Sequence, residues 1–331
     1  MVDIREIDYP YYRLYKSLEE ILKDFMDLKN YQYDYIIQKP EDIEDFLKRS
    51  KYSKKNKSVG FVYKHIKDLL YMLNIEYDRD EKYLKITDYF SQECRVECNF
   101  ADLISPLEYF RLNKESIIAN LGEKPSYNEI DDYFYKRGVI QCSNFHLVVC
   151  TSVLNYFKPK RWLDPSAGWG DRLVAAINYG DCEYHASDPN DCLHPKYKDM
   201  IGTLADDKDK YKIEQVGFED LKVEKDYYDL VFTSPPFFDL EKYTNDPEQS
   251  HIKYNTLEDW IINFMYPLIR NNALTKGGHF CLYINDNKRS GVEYVQKVKE
   301  YLAINKGFKY KGIISWYTGT YPREILVYKK L

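Results

Sequence analysis

The sequence predicts an α/β protein: a doubly wound, mostly parallel sheet with helices on both faces over residues 136–331, preceded by a mainly helical region over 1–135. Three observations carry this. From about residue 140, short apolar runs alternate with helical runs, the pattern of strand–helix units joined by right-handed crossovers. Upstream, two capping boxes, Ser17-Leu18-Glu19-Glu20 and Ser126-Tyr127-Asn128-Glu129, open amphipathic stretches. The composition, 44% hydrophobic and 31% charged over 331 residues, supports a packed core and excludes disorder as the main state.

Taken in order, the first capping box opens SLEEILKDFMDL. Pro40 precedes EDIEDFLKR, acidic at its start and basic at its end, as the helix dipole prefers. A helix is expected through Phe61–Leu73, then short strand-like pieces near Tyr83–Ile86. In the second region Phe145–Phe157 reads as a helix, Arg161–Leu163 as a buried strand and Asp171–Tyr179 as a helix. Strands are expected at Glu183–Ser187, Tyr211–Gln215, Tyr228–Thr233 and Gly278–Asn285, with helices at Leu257–Ala273 and Val292–Asn305. Lys309–Tyr317 and Glu324–Lys329 close as an antiparallel pair around Gly319 and Pro322.

No apolar run reaches the length of a membrane span, and Met1–Tyr12 lacks the pattern of a secretory signal. The seven cysteines are scattered without a C-x-x-C pair. They read as free structural thiols of a reducing, cytoplasmic or similar intracellular compartment, a viral replication site included. Cys94 and Cys98 lack the second pair that would complete a zinc site, so no metal is implied. The net charge of −5 argues against a generic polyanion binder. The local exception is residues 48–57, with six cations in ten positions, among them Lys54 and Lys55, which suit phosphate contacts.

Two constellations carry chemistry. The first is Asp164-Pro165-Ser166-Ala167-Gly168-Trp169-Gly170, where a strand ends and a helix begins. Its glycines let the backbone turn tightly and approach a ligand. One strand later comes Asp188, placed to accept both hydroxyls of a ribose. The third glycine of a dinucleotide fingerprint is missing, so a nucleoside without phosphates fits better. The second constellation is Thr233-Ser234-Pro235-Pro236-Phe237-Phe238, after the apolar strand YDLVF. Two prolines fix φ and remove two donors, leaving carbonyls exposed as acceptors. An acceptor side chain, a rigid carbonyl and an aromatic ring make a socket for a planar amine.

DPSAGWGDRL, SDP and TSPPFF together resemble the S-adenosylmethionine-dependent amino-methyltransferases of DNA and RNA, whose signature is (Asp/Asn/Ser)-Pro-Pro-(Tyr/Phe/Trp). TSPPFFDLEKY, EDW, GGHFCLYIND and PREILVYKK are similar to DNA methyltransferases of phages and large DNA viruses. The resemblance covers about residues 140–331. It implies a Rossmann-like class I methyltransferase fold with a seven-stranded sheet, and S-adenosylmethionine as cofactor. Asp164, Ser166, Gly168 and Gly170 would hold its methionine end, Asp188 its ribose and Asp220 its adenine amine. Ser234, Pro235, Pro236 and Phe237 would form the catalytic socket, with Ser234 and the Pro235 carbonyl on the target amine and Phe237 stacked on an extruded base.

Phe238 and Tyr243 are expected against the target, and Gln249 or Ser250 against its backbone, from a polar loop over 239–255. The implied reaction is methylation of cytosine N4 or adenine N6 by base flipping, with DNA favoured over RNA and Ser234 leaning toward cytosine. RNA adenosine methylation, cap-adjacent sites included, stays open. So do a protein-glutamine substrate and a non-catalytic nucleic-acid-binding subunit. Region 1–135 is the candidate target-recognition domain, and a protein partner or a homodimer is left open.

Overall fold

The structure, a computed structural model, describes residues 2–31, 36–37, 72–73, 82–270, 272–286, 291–317 and 322–331. Its centre is a seven-stranded sheet of β1 (Arg161–Asp164), β2 (Glu183–Ser187), β3 (Tyr211–Glu214), β4 (Tyr228–Thr233), β5 (Leu274–Tyr283), β6 (Phe308–Tyr317) and β7 (Pro322–Lys330). The order across the sheet is β6-β7-β5-β4-β1-β2-β3. Neighbours from β5 to β3 run parallel, and β7 runs antiparallel to both β5 and β6.

Alternation along the strands explains the two-faced core. Trp162, Leu230, Phe232, Cys281 and Ile325 pack on one face, while Leu163, Val231, Phe280, Leu282 and Leu326 pack on the other. Each face is mostly apolar because helices cover both. The Trp162 indole donates to the Phe232 carbonyl across the sheet at 2.9 Å, satisfying its one polar atom.

Upstream lie α1 (Leu18–Lys29), α2 (Lys82–Val96), α3 (Pro106–Leu121) and α4 (Tyr127–Lys136). Both expected capping boxes form, Ser17 with Glu20 and Ser126 with Glu129. Tyr12, Ile21, Phe25 and Leu28 near or on α1, and Tyr83, Ile86, Phe90 and Cys94 on α2, join the core on the Trp162 face. The sheet region adds α5 (Leu147–Phe157), α6 (Asp171–Tyr179), α7 (Leu193–Leu204), α8 (Leu257–Trp260) and α9 (Val295–Ile304). After α8 a π turn over Ile261–Met265 leads into a helix at Tyr266–Arg270.

Several expectations are corrected. Tyr83–Ile86 is helical, not strand-like: Tyr83, Ile86, Phe90 and Cys94 are all buried, at the 3–4 residue spacing of one helix face. Met72–Leu73, the expected end of a helix, pairs antiparallel with Ile36–Ile37. The remainder of that helix, the helix after Pro40 and the Lys54–Lys55 cluster lie outside the described residues. The crossover helix α7 was not singled out in advance.

The free-thiol expectation is also overturned. Cys94 is bonded to Cys192, and Cys98 to Cys142, with Cα–Cα distances of 5.9 and 6.3 Å. These partners lie 98 and 44 residues apart, beyond the reach of spacing arguments. Cys150, Cys182 and Cys281 are buried thiols. Among the described residues no helix is long and apolar enough to cross a membrane, and no cluster of His, Cys, Asp and Glu is arranged to hold a metal.

Both cross-links close long loops, so they restrict the unfolded chain strongly. Reduction, or Cys94→Ala with Cys192→Ala, is expected to cost about 2–5 kcal/mol of stability per bridge. Thermal unfolding with and without a dithiol reductant checks this; an unchanged midpoint would count against the pairing.

Candidate active site

The site forms where β1 ends. Asp164 is completely buried and accepts from Arg172 Nε of α6 at 2.7 Å and from the Tyr184 hydroxyl at 2.7 Å. Arg172 also donates to the Ser166 carbonyl. The loop that follows is fastened at every step. Ala167 N donates to the Ser187 carbonyl at 2.9 Å, Gly168 N to Asp188 Oδ2 at 2.9 Å, and the Tyr197 hydroxyl to the Gly168 carbonyl. Ser91 of α2 donates to the Trp169 carbonyl at 2.8 Å.

Gly168 and Gly170 both have positive φ, +62° and +100°. Their roles differ. A Cβ on Gly168 would meet nothing closer than 3.8 Å, whereas one on Gly170 would sit 2.6 Å from Met200 Sδ. Gly168 shapes the ligand-facing turn; Gly170 lets α6 begin against α7.

The loop borders a cavity of about 390 Å³, within the range of small-molecule sites. Ser166, Gly168, Asp188, Ser234, Pro235, Pro236, Phe237 and Tyr243 line it, and so do Gln249 and Ser250. Three assigned residues sit elsewhere. Asp164 lies beneath the loop in its ion pair, and Gly170 lies behind it, so both support the wall without forming it. Phe238 has φ of +55°, which turns its ring away onto Trp260, at a centroid distance of 5.7 Å.

The fourth correction concerns the carboxylate after β3. Asp220 is exposed and bound to Lys253 at 2.9 Å. Its neighbour Glu219 lines the cavity instead. Glu219 Oε1 accepts from the Tyr254 hydroxyl at 3.0 Å and lies 3.2 Å from Lys253 Nζ, while Oε2 is buried with no hydrogen-bond partner. A Cβ at Gly217 would fall 2.8 Å from that oxygen, so glycine there leaves room for the inward carboxylate.

Sequence reasoning missed several lining residues. Asn144, Phe145 and His146 come from the segment before α5, and Tyr283, Asn285, Asp286 and Arg323 from the ends of β5 and β7. Burial, with the Arg323 charge adding to it, pushes His146 down to about 4. Phe237 meets Tyr283 edge-on at 5.7 Å. Tyr243 donates to the buried Glu241 at 2.7 Å and sets its ring against Trp169. A signal for Glu219 was present in the same acidic pair, but its direction was not.

No family model matches the sequence, and no curated protein matches it. Among solved structures, the chain is similar to an S-adenosylmethionine-dependent O-methyltransferase from Thermotoga maritima, at 14% identity over 57% of this chain and 67% of that one, with a TM-score of 0.37. It is also similar to a methyltransferase from Geobacter sulfurreducens, at 12% identity over 66% and 96% of the two chains, with a TM-score of 0.38. The strand order, with its one reversed strand, is the mostly parallel, doubly wound α/β arrangement expected from the sequence.

Burial raises the Asp188 carboxyl to about 6, against the opposing hydrogen bonds from Asn190 N and Gly168 N. A carboxyl whose pKa is raised on folding stabilises the fold most below its unfolded pKa, and that contribution is lost as pH rises through about 6. The Asn amide at 188 would leave one of the two backbone N–H groups without an acceptor at every pH, so the expected signature is a trend: the melting temperature of Asp188→Asn minus that of the parent rises from pH 4 to pH 8. A melting series across that range checks it; a difference that falls as pH rises would contradict the burial.

Proposed function

We propose that this protein transfers a methyl group from S-adenosylmethionine to the exocyclic amine of a nucleobase in DNA, cytosine N4 or adenine N6. The observation that carries the reading is that one cavity is lined both by Gly168, Asp188 and Glu219 and by Ser234-Pro235-Pro236-Phe237. The first set suits an adenosine. The orphaned Glu219 Oε2 is an acceptor for an exocyclic amine, Asp188 for ribose hydroxyls, and the open face of Gly168 admits close backbone approach. When bound, the cofactor supplies an electrophilic methyl group on a sulfonium.

The second set acts on the nucleophile. An aromatic amine attacks poorly because its lone pair is delocalised into the ring. Ser234 Oγ and the Pro235 carbonyl accept its two N–H groups, holding the nitrogen in place and favouring the positive charge that develops on it. Ser234 and the Pro235 carbonyl hold the nitrogen, as the cofactor would give up its methyl carbon and keep the carbon–sulfur electron pair, until the surplus proton on that nitrogen is released to water. Phe237 offers a face for a base turned out of its stack. Asp164 acts as a positioning residue, through Arg172 and the loop.

The test incubates the full chain with methyl-labelled S-adenosylmethionine and single- or double-stranded DNA, RNA or protein extract, followed by digestion and mass spectrometry. Methylated cytosine or adenine from DNA is the expected product. Label in RNA would move the substrate, label in protein glutamine would overturn the nucleobase, and cofactor binding without transfer would favour a non-catalytic subunit.

Ser234→Ala is expected to lower the rate about 100-fold or more, with cofactor affinity unchanged. Glu219→Ala should weaken cofactor binding about 10- to 100-fold, the range for a hydrogen bond to a buried charge, while Asp220→Asn leaves it alone. Calorimetric titration of the three variants separates these roles; equal effects at 219 and 220 would sink the adenine assignment.

A further inference from the structure

Three neighbouring strands deliver polar groups to one end of the sheet. Thr233 of β4 pairs with Leu282 of β5, and Tyr283 pairs with Ile325 of β7. Just past these positions come Ser234 and Pro235, then Asn285, then Arg323, and all line the cavity. Across the sheet, therefore, an acceptor pair is followed by an amide donor and a guanidinium. Asn285 Nδ2 is buried and faces the Tyr283 hydroxyl. Arg323 reaches the hydroxyl of Tyr283, whose ring touches Phe237 at 5.7 Å and Phe145 at 5.6 Å. The neighbouring carboxylate, Asp286, also lines the cavity, and its Oδ1 is held by Tyr294 N and Val295 N at 2.8 and 2.9 Å.

Resting on the amino-methyltransferase reading above, we infer that Asn285 and Arg323 read the ring edge beside the target amine and select cytosine over adenine. The chemistry of the two edges decides between them. Beside its amine, cytosine presents two acceptors in succession, N3 and O2. Adenine presents N1 followed by a C–H, and its other acceptor, N7, lies on the far side of the amine. A guanidinium is a donor-only fork that matches two adjacent acceptors. With Ser234 and Pro235 taking the amine, the row of acceptor, donor and donor complements the cytosine edge. Adenine, with a C–H where cytosine has O2, offers no second acceptor to the fork, which selects against it.

The experiment gives the full chain, with methyl-labelled S-adenosylmethionine, two single-stranded DNA oligonucleotides, one containing cytosine but no adenine and one the reverse. N4-methylcytosine is expected in at least about tenfold excess over N6-methyladenine, a ratio in keeping with one bidentate contact. Arg323→Met and Asn285→Ala should each lower cytosine methylation, by about 10- to 100-fold for the arginine, with cofactor affinity unchanged as the folding control. Arg323→Lys keeps the charge without the fork and should not restore activity. Full activity in that variant, or adenine methylated as well as cytosine, would overturn the edge reading while leaving amine methylation standing. Transfer to neither base would overturn both.

Discussion

The buried ion pair between Asp164 and Arg172 is the contact on which the rest of the site depends. Both side chains are withdrawn from water, so each charge needs the other. Asp164 adds the Tyr184 hydroxyl, and Arg172 adds the Ser166 carbonyl. Breaking such a pair from one side leaves an uncompensated buried charge, at a cost of about 3–5 kcal/mol. The pair joins the end of β1, the start of α6 and the carbonyl of the loop between them. The loop's path is thereby set before any ligand arrives, and Gly168 N is presented to Asp188.

The region upstream of the sheet takes part in this arrangement although it carries no recognisable motif. From α2, Ser91 holds the Trp169 carbonyl, and Arg95, paired with Asp88, donates to the Cys142 carbonyl at 2.9 Å. Asn144 bridges toward Asp88 and Asp171, and Asp171 accepts from Phe145 N at 3.0 Å. The two disulfides repeat the pattern covalently. Cys192 follows the loop carrying Asp188, and Cys142 precedes the cavity-lining segment 143–146. The helix α2 and the turn that follows it thus brace both flanks of the glycine-loop side of the cavity.

What the sequence made legible was local. The glycine loop, Asp188 and the Ser-Pro-Pro-Phe turn each follow directly from a strand, and the alternating pattern located those strands. What it did not show depends on angles and partners. A single 3₁₀ turn over Phe218–Asp220 decides that Glu219 points inward and Asp220 outward. One positive φ sends Phe238 into the core while Phe237 stays at the cavity. Asn285 and Arg323 enter only through the register of β5 and β7, and the cysteine partners only through the packing of α2. No spacing rule reaches contacts between residues so far apart in the chain.

The strand order also explains how one cavity comes to be lined from two sides. β1 lies between β2 and β4, and the chain order reverses there, so the connections on its two sides leave a crevice beyond the strand ends. On one side stand the ends of β1, β2 and β3, with Gly168, Asp188 and Glu219; on the other stand the ends of β4, β5 and β7, with Ser234, Asn285 and Arg323. Adjacent strands are about 4.8 Å apart, so the loop after β1 and the turn after β4 are held one strand spacing apart by backbone hydrogen bonds. That spacing is set by the sheet and not by any side chain. On the proposed reading, the methyl donor on one side and the amine on the other meet at the β1–β4 seam, and each half can change its ligand preference without moving that meeting point.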